Sequence, residues 1–382
     1  MAAVRAGASQ RAVARQFQVG RGTVQLWLRR AADRPIETVD WGDRSSAPIH
    51  VSRTAIELEN LILDIRRQLR EESILGEYGP VAVRHELAAR GIAGRLPSIR
   101  TIARIVERRG ALDARRRVRR PAPPAGWYLP DVRTNQNELD SFDFIDGLYL
   151  RGGTPLDVLT GISLHGGLPM ARPTSGLRSA DAVTFLAEHW RDVGRPGYAQ
   201  FDNDARFIGG TSVRDSIGLV IRFCLAAAVV PVFAPPWESG FQAAVEAFNG
   251  RWQRKVWNRV WADTLDGLQV RSTAYIGASR QRSAARIEDA PPRRVLPAEW
   301  RFDHREPARG RLIWLRRTSD AGAVTVLNRR YPVDPRWPHR LVRVELDIDA
   351  RRIDVYALRR RAPDDQPLIA QLEFSPPERW FR

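Results

Sequence analysis

Cysteine and lysine are almost missing from this chain. Cys224 is the single cysteine among 382 residues, which excludes an internal disulfide framework and any zinc cluster built on cysteines. Lys255 is the only lysine, so nearly all positive charge is arginine. A coding bias towards arginine accounts for that choice, but not for the excess of base over acid. Long apolar runs are also lacking. The longest, Ile217 to Ala234, is interrupted by Arg222 and Pro231, and reads as a buried helix running into a buried strand rather than a membrane span. Met1 to Arg15 has no apolar core of the kind a secretory signal needs. These absences predict a protein of a reducing cytoplasm, with no membrane partner.

Base is present in excess. The formal net charge is +17 and the isoelectric point about 11.2, which points to a polyanionic partner, most commonly nucleic acid. The distribution says more than the total. Residues 1–125 carry 24 arginines against 13 acids, residues 137–265 carry 12 basic against 14 acidic residues, and residues 309–361 carry 14 arginines against 6 acids. Two basic ends flank an acidic middle, as expected if the ends hold phosphates and the middle holds cations.

At this length several modules are expected. In residues 1–34, Ser9 suits an N-cap, Val13 and Phe17 share one helix face, Gly20 permits a sharp turn, and Val24, Trp27 and Leu28 form a second apolar face. Two short helices about a tight turn describe a helix-turn-helix, with Arg21, Thr23, Gln25 and Arg29 directed towards a major groove. A generic helical hairpin would read the same, and a supporting first helix is missing or shortened. Residues 35–52 read as a linker. Residues 53–120 form a second helical DNA-binding module: Leu58, Leu61, Ile62, Ile65 and Leu69 repeat at helical spacing, and a helix pair follows, Pro80 to Arg90 and Ser98 to Arg109. Arg100, Arg104 and Arg108 make one basic stripe, continued by the arginines of 115–120. A solvated face is the plainer alternative for such a stripe, but its continuation into 115–120 favours phosphate contact and assigns Arg100, Arg104 and Arg108 to DNA. Pro121 to Pro124 supplies a stiff spacer.

From Leu139 the pattern becomes strand-like: Leu139 to Leu150, Leu156 to Leu164 and Leu168 to Arg172, then a helix over Asp181 to Trp190, a strand over Tyr198 to Phe201, an apolar helix, a strand through Val232 and a basic helix from about Gln242. Successive strands followed by helix–strand alternation predict a mixed α/β layer over 137–265. Residues 266–308 read as an extended, arginine- and proline-rich connector. Residues 309–365 read as a small β-barrel, from the short strands Leu312 to Arg316, Val324 to Leu327, Tyr331 to Val333, Leu341 to Asp347 and Ile353 to Leu358. Its arginines suit DNA or a structural role alike.

Three acids in the middle are set among apolar neighbours: Asp143 in Ser141-Phe-Asp-Phe-Ile145, Asp202 in Phe201-Asp-Asn203, and Glu246 in Ala243-Ala-Val-Glu-Ala-Phe-Asn249. A buried carboxylate is costly without compensation, and hard divalent cations take oxygen ligands of this kind. Each acid alone reads as a turn or solvated residue; only their conjunction is specific. The order D…D-N…E followed by F-N, with Pro235-Pro-Trp237, resembles the integrase-core (DDE) transposases of bacterial insertion sequences, relatives of retroviral integrase.

The resemblance covers most of the chain. It implies a multidomain protein with N-terminal all-α helix-turn-helix modules, a central ribonuclease-H-like α/β core and a C-terminal barrel. It further implies Asp143, Asp202 and Glu246 as a catalytic triad holding two Mg2+ or Mn2+ ions. The activity would be a polynucleotidyl transferase: DNA cleavage at transposon ends and strand transfer, without a covalent protein intermediate, by an oligomer on double-stranded DNA in a bacterial nucleoid. Asn249, Arg254 and Lys255 would then reach the backbone near the cut. Asp140 competes with Asp143 for the first position and Glu238 with Glu246 for the last. Asp204 stands where the family usually has glycine, as an extra ligand or a sign of decay. The interval from Asp202 to Glu246 is longer than usual, with an insertion between Ile208 and Asp215. A decayed transposase acting as a DNA-binding repressor, or a metal-dependent nuclease that cuts without joining, remains the alternative.

Overall fold

The computed structural model describes residues 1–42, 54–92, 96–109, 111, 126–209, 216–236, 238, 240–259, 263–360 and 362–376. The arginines of 115–120, the spacer 121–124, Trp237 and the insertion at 210–215 lie outside them. The chain divides into two compact units, Met1–Leu58 and Glu59–Arg382.

In the first unit, α1 (Ala2–Arg5), α2 (Gln10–Gln16) and α3 (Arg21–Ala31) enclose Val13, Ala14 and Val24. Ser9 caps α2 by accepting from the Ala12 N–H at 3.2 Å. The expected first helix is thus present but cut to one turn. The turn differs from expectation: Gln18, at φ 50°, takes the left-handed conformation, while Gly20 has φ −65° and caps α3. Phe17 is 59% exposed rather than part of the core. A short amphipathic helix with Val13 and Ala14 inward leaves its end turned outward.

The second unit begins with α4 (Ile56–Glu72), which starts just ahead of the boundary, α5 (Pro80–Ala89) and α6 (Ile99–Arg108). Ile62, Ile65, Val83, Leu87, Ile102, Ile105 and Val106 are buried at the spacing the sequence predicts. Ser98 caps α6 through the Thr101 N–H at 3.1 Å. Glu59 is buried on α4 and takes Arg108 and Arg109 as partners. Arg108 therefore serves an ion pair within the fold, which corrects its place in a free basic stripe. Arg100 and Arg104 are exposed.

After α7 (Pro130–Arg133) come β1 (Leu139–Tyr149), β2 (Pro155–Ser163), β3 (Pro169–Thr174), α8 (Ser179–Val193), β4 (Tyr198–Phe201), α9 (Ala205–Ile208), α10 (Leu219–Ala226), β5 (Val230–Phe233) and α11 (Ala243–Trp252), which runs into a π-turn at Gln253–Trp257. β1, β2 and β3 pair antiparallel, and β4 and β5 add in parallel beside β1. The result is the mixed α/β layer that the succession of strands and helices predicts. One face packs on α8 and α10 through Phe142, Trp190, Phe201 and Phe223; the other packs on α11 through Ile145, Val158, Val245, Phe248 and Trp252. Gly161 is required where it stands opposite Phe142, because a Cβ there would lie 2.5 Å from the ring.

Two expectations for the C-terminal third are corrected. The connector is not extended: α12 (Leu265–Arg282) packs along β3, α13 (Ala284–Glu288) follows, and the strap beyond buries Leu296 and places Trp300 and Phe302 against Phe223. Nor do the last strands close into a separate barrel. β6 (Arg311–Arg317) pairs in parallel with β5, and β9 (Leu341–Asp347), β10 (Arg352–Ala357) and β11 (Leu368–Glu373) extend the sheet to nine strands. Among the described residues, only β7 (Ala323–Val326) and β8 (Arg329–Pro332) form a hairpin apart from it. The reason lies in β6, where Leu312, Ile313, Trp314 and Leu315 are all buried. A continuous apolar run belongs to a strand covered on both faces, in a sheet interior. No described helix is long and apolar enough to cross a membrane.

Candidate active site

Successive side chains of a strand point to opposite faces, and this parity separates the two candidate aspartates of β1. Asp140 shares the α8 face with Phe142. It is 1% exposed, accepts two bonds from Arg293 at 2.8 and 2.6 Å and a third from the Trp190 indole at 3.2 Å. Its charge is already matched. Asp143 points the other way, to the α11 side, where no cation pairs with it among the described residues.

Asp202 follows β4 immediately. The parallel register pairs Leu139 with Tyr198 and Ser141 with Gln200, and the same offset carried two residues on sets Asp202 level with Asp143 on the neighbouring strand. Burial, and next the charge of Asp202, push the Asp143 carboxyl up to about 6, and Glu246 adds to the rise. Bonds from the Phe144 N–H at 2.9 Å and the Asn249 amide at 2.7 Å pull the other way. Burial also raises Asp202, whose Oδ1 accepts from the Asp204 N–H at 3.0 Å. Glu246 is exposed on α11 rather than set among apolar groups; its neighbours Val245 and Phe248 hold the helix on the sheet. Asp143 thus lies within the electrostatic reach of both Asp202 and Glu246. Among the described residues, however, no three His, Cys, Asp or Glu side chains already form a group able to hold a metal ion. Like charges repel, and Asp143 and Asp202 each turn onto protein N–H donors instead.

The remaining acids have other partners. Asp204 caps α9 and takes the Arg206 guanidinium at 2.9 and 2.8 Å, which lowers its pKa. Arg206 continues to Asp146 at 2.9 and 2.7 Å and lies 3.8 Å from the Phe144 ring centroid. Asp204 is accordingly a neutralised clamp rather than an extra ligand. Glu238 pairs with Arg317.

Asn249, expected to meet DNA, faces inward. Its Nδ2 donates to Asp143, and its Oδ1 accepts from the Thr160 hydroxyl at 2.6 Å. One turn beyond Glu246 on the same helix, it fixes Asp143 to α11 as a positioning residue. Its removal should let the Asp143 carboxyl rise above about 6. Carboxyl-carbon NMR of an Asn249→Ala variant checks this, since a merely structural loss would leave that titration in place. Lys255 is likewise turned inward, donating to the Gly76 carbonyl at 2.6 Å, and burial lowers its pKa. Arg254 is exposed and bonds back to the Gly250 carbonyl. On α3, Arg21 and Arg29 are exposed, and Thr23 and Gln25 half-buried. One residue had no sequence signal of its own. Arg316 of β6 reaches across to Asn203, beside Asp202, at 2.8 Å.

No protein-family model and no curated protein matches the chain. Solved structures do. A chain of the simian T-cell lymphotropic virus intasome, in complex with the PP2A regulatory subunit B56 gamma, is 12% identical over 68% of this chain and 87% of its own, with TM-score 0.32. The HTLV-2 integrase catalytic core domain in complex with magnesium is 12% identical over 40% and 86%, with TM-score 0.25. The catalytic core domain of BIV integrase is 10% identical over 37% and 81%, with TM-score 0.26. At TM-scores this low the likeness adds no weight to what the sheet order and the carboxylates themselves say.

Proposed function

We propose that the protein is a DDE-type transposase, a polynucleotidyl transferase that cuts DNA at transposon ends and joins the freed 3′-hydroxyl to target DNA. The observation that carries this reading is the coupling of Asp143 to Asp202 and Glu246, with no protein cation on Asp143 among the described residues. Asp140 and Asp204 each have an arginine; Asp143 has only an amide and an N–H. A half-buried carboxylate beside like charges suits a divalent cation, and an all-oxygen donor set suits Mg2+ or Mn2+. Asp143, Asp202 and Glu246 would hold it, two ions being the number the resemblance implies. Bound there, the metal would supply charge neutralisation and polarisation of the phosphodiester. The chain's own part is positional. Asn249 keeps Asp143 oriented, the Asp204 N–H keeps Asp202 oriented, and α11 carries Glu246 to the same side of the sheet.

Arg21, Thr23, Gln25 and Arg29 on α3, with Arg100 and Arg104 on α6, are assigned to double-stranded DNA, phosphates giving most of the affinity and base edges the specificity. Joining two ends calls for an oligomer. Asp202→Ala provides the test. Cleavage of an end-containing duplex in Mg2+ or Mn2+ should be lost while binding to the same duplex stays within about twofold; unchanged cleavage would overturn the triad. A pre-cut 3′-hydroxyl end, offered with target DNA, separates a transposase from a nuclease, because only the former joins it.

A further inference from the structure

The turn from α8 into β4 and the strap after α13 bring two arginines face to face. Arg195 and Arg294 form an antiparallel bridge outside the named strands. The Arg195 N–H donates to the Arg294 carbonyl at 2.7 Å, and the Arg294 N–H returns to the Arg195 carbonyl at 3.0 Å. A pair that exchanges both bonds holds its Cα atoms roughly 5.5 Å apart, with both side chains on one side. Like charges placed directly opposite destabilise such a pair, so the arrangement calls for compensation.

Part of that compensation comes from the end of α10. Arg195 Nη1 donates to the Ala227 carbonyl, and Arg294 Nη2 donates to those of Ala228 and Pro196. These acceptors carry no net charge. The carbonyl end of a helix is worth roughly half a negative charge, against two full positive ones. Among the described residues no carboxylate bonds either guanidinium; Asp192 on α8 and Asp140 on β1 are taken by Arg280 and Arg293. Each guanidinium has five N–H bonds, and the carbonyls occupy only some of them. Arg195 Nε is shielded from solvent yet has no partner among the described residues. Burial, and next the Arg294 charge, lower the Arg195 pKa. Arg294 is exposed, as is Val295 beside it, so the pair can be reached from outside. Capping α10 would take one arginine; a second adds repulsion unless an anion joins them.

We propose that Arg195 and Arg294 together bind one phosphate group, carried by a DNA backbone or free in solution. Converging guanidiniums suit a phosphate because several N–H donors meet several charged oxygens. The site stands apart from the carboxylates: Arg195 precedes β4 and Asp202 follows it, roughly 20 Å along the strand. A phosphodiester held here is therefore not the one being cut, and the assignment does not depend on the transposase reading.

The test uses the full chain in EDTA. Fluorescence anisotropy follows binding to a blunt labelled duplex of about 30 base pairs between about 50 and 200 mM KCl. Losing one phosphate contact should lower the slope of log affinity against log salt by roughly 0.9. Arg294→Gln and Arg195→Met should each show that fall, and the double variant no further fall, because the two share one phosphate. Arg301→Gln, at an exposed arginine of the same strap, is the control and should leave the slope unchanged. Thermal melts in inorganic phosphate against chloride at equal ionic strength address the other source. Phosphate stabilises most folds by exclusion, so the readout is the part of the shift that wild type has and the variants lack. A fall in slope identifies DNA as the source; an unchanged slope with a variant-sensitive melt identifies free phosphate. Either result upholds the site. Falls that add in the double variant, a fall matched by Arg301→Gln, or no effect in both assays overturns it. If Arg195→Met fails to fold, the exposed Arg294→Gln decides beside the control. Asp202→Ala should lose cleavage and keep this site, so the two readings fail separately.

Discussion

Asp143→Asn should abolish metal-dependent DNA cleavage, by at least about a thousandfold, and at the same time make the fold more stable. Burial and the facing charges hold the Asp143 carboxyl up at about 6 against an ordinary 3.8, so the fold disfavours its ionised form. Each pH unit of such displacement corresponds to roughly 1.4 kcal/mol; with the side chain only half-buried, a gain of about 2 kcal/mol is expected for the neutral variant at pH 7.5. Folding takes up a proton between about pH 4 and 6, so wild-type stability falls as pH rises through that window. The gap between variant and wild type should therefore be absent below about pH 4, open through the window, and stay constant above about 6. Asparagine fits the local bonding. Its Oδ1 keeps the Phe144 N–H, and a flipped Asn249 accepts from its amide while donating to the Thr160 hydroxyl, which still reaches the Asp143 carbonyl. Thermal melts across pH, beside a cleavage assay, check both halves. A variant that loses cleavage and melts lower than wild type at pH 7.5 would mean that Asp143 stabilises the fold and is no poised ligand.

Much of the core is readable in one dimension because its signals are local. β1, β2, β4 and β9 follow apolar patterning closely, and α8 and α11 show their buried faces at helical spacing. Ser9 and Ser98 cap the helices they precede. What cannot be read depends on partners far along the chain. Asp140 and Asp143 have similar neighbours in sequence; they part because strand parity sends one towards α8 and because Arg293, far downstream, closes on it. Asn249 reads as a solvent-facing helix residue until Thr160 and Asp143 are brought beneath it. Arg316 sits in an arginine-rich stretch that suggests surface contact, yet parallel pairing of β6 with β5 turns it towards Asn203. The expected barrel fails for a related reason. Regular strand spacing says nothing of which sheet the strands join, whereas the unbroken apolar run of β6 does.

The Asp140–Arg293 pair gives the sharpest stability forecast, and it bears on the choice of catalytic aspartate. Arg293 meets both Asp140 oxygens, and its Nε also donates to the carbonyls of Val193 at 3.0 Å and Gly194 at 2.9 Å. Arg293→Met keeps most of the side-chain volume but strands a carboxylate that is 1% exposed. Removing one partner of a buried ion pair typically costs about 3–5 kcal/mol, because the other charge stays behind without compensation. A drop of that size should appear as a lower denaturant midpoint with an unchanged slope. Combining it with Asp140→Asn removes the stranded charge, and the amide oxygen of the substituted side chain can still accept the Trp190 N–H. Stability should then return to within about 1–2 kcal/mol of wild type, the remainder reflecting the carbonyls that Arg293 no longer meets. If Asp140 is a buried counter-ion and not a ligand, the double variant should cleave DNA at a near wild-type rate in Mg2+ or Mn2+. Loss of cleavage in a folded double variant would move the first metal-binding position from Asp143 to Asp140. Parity argues against that outcome: a metal at Asp140 would have to displace Arg293 on the α8 side of the sheet, while Glu246 waits on the α11 side.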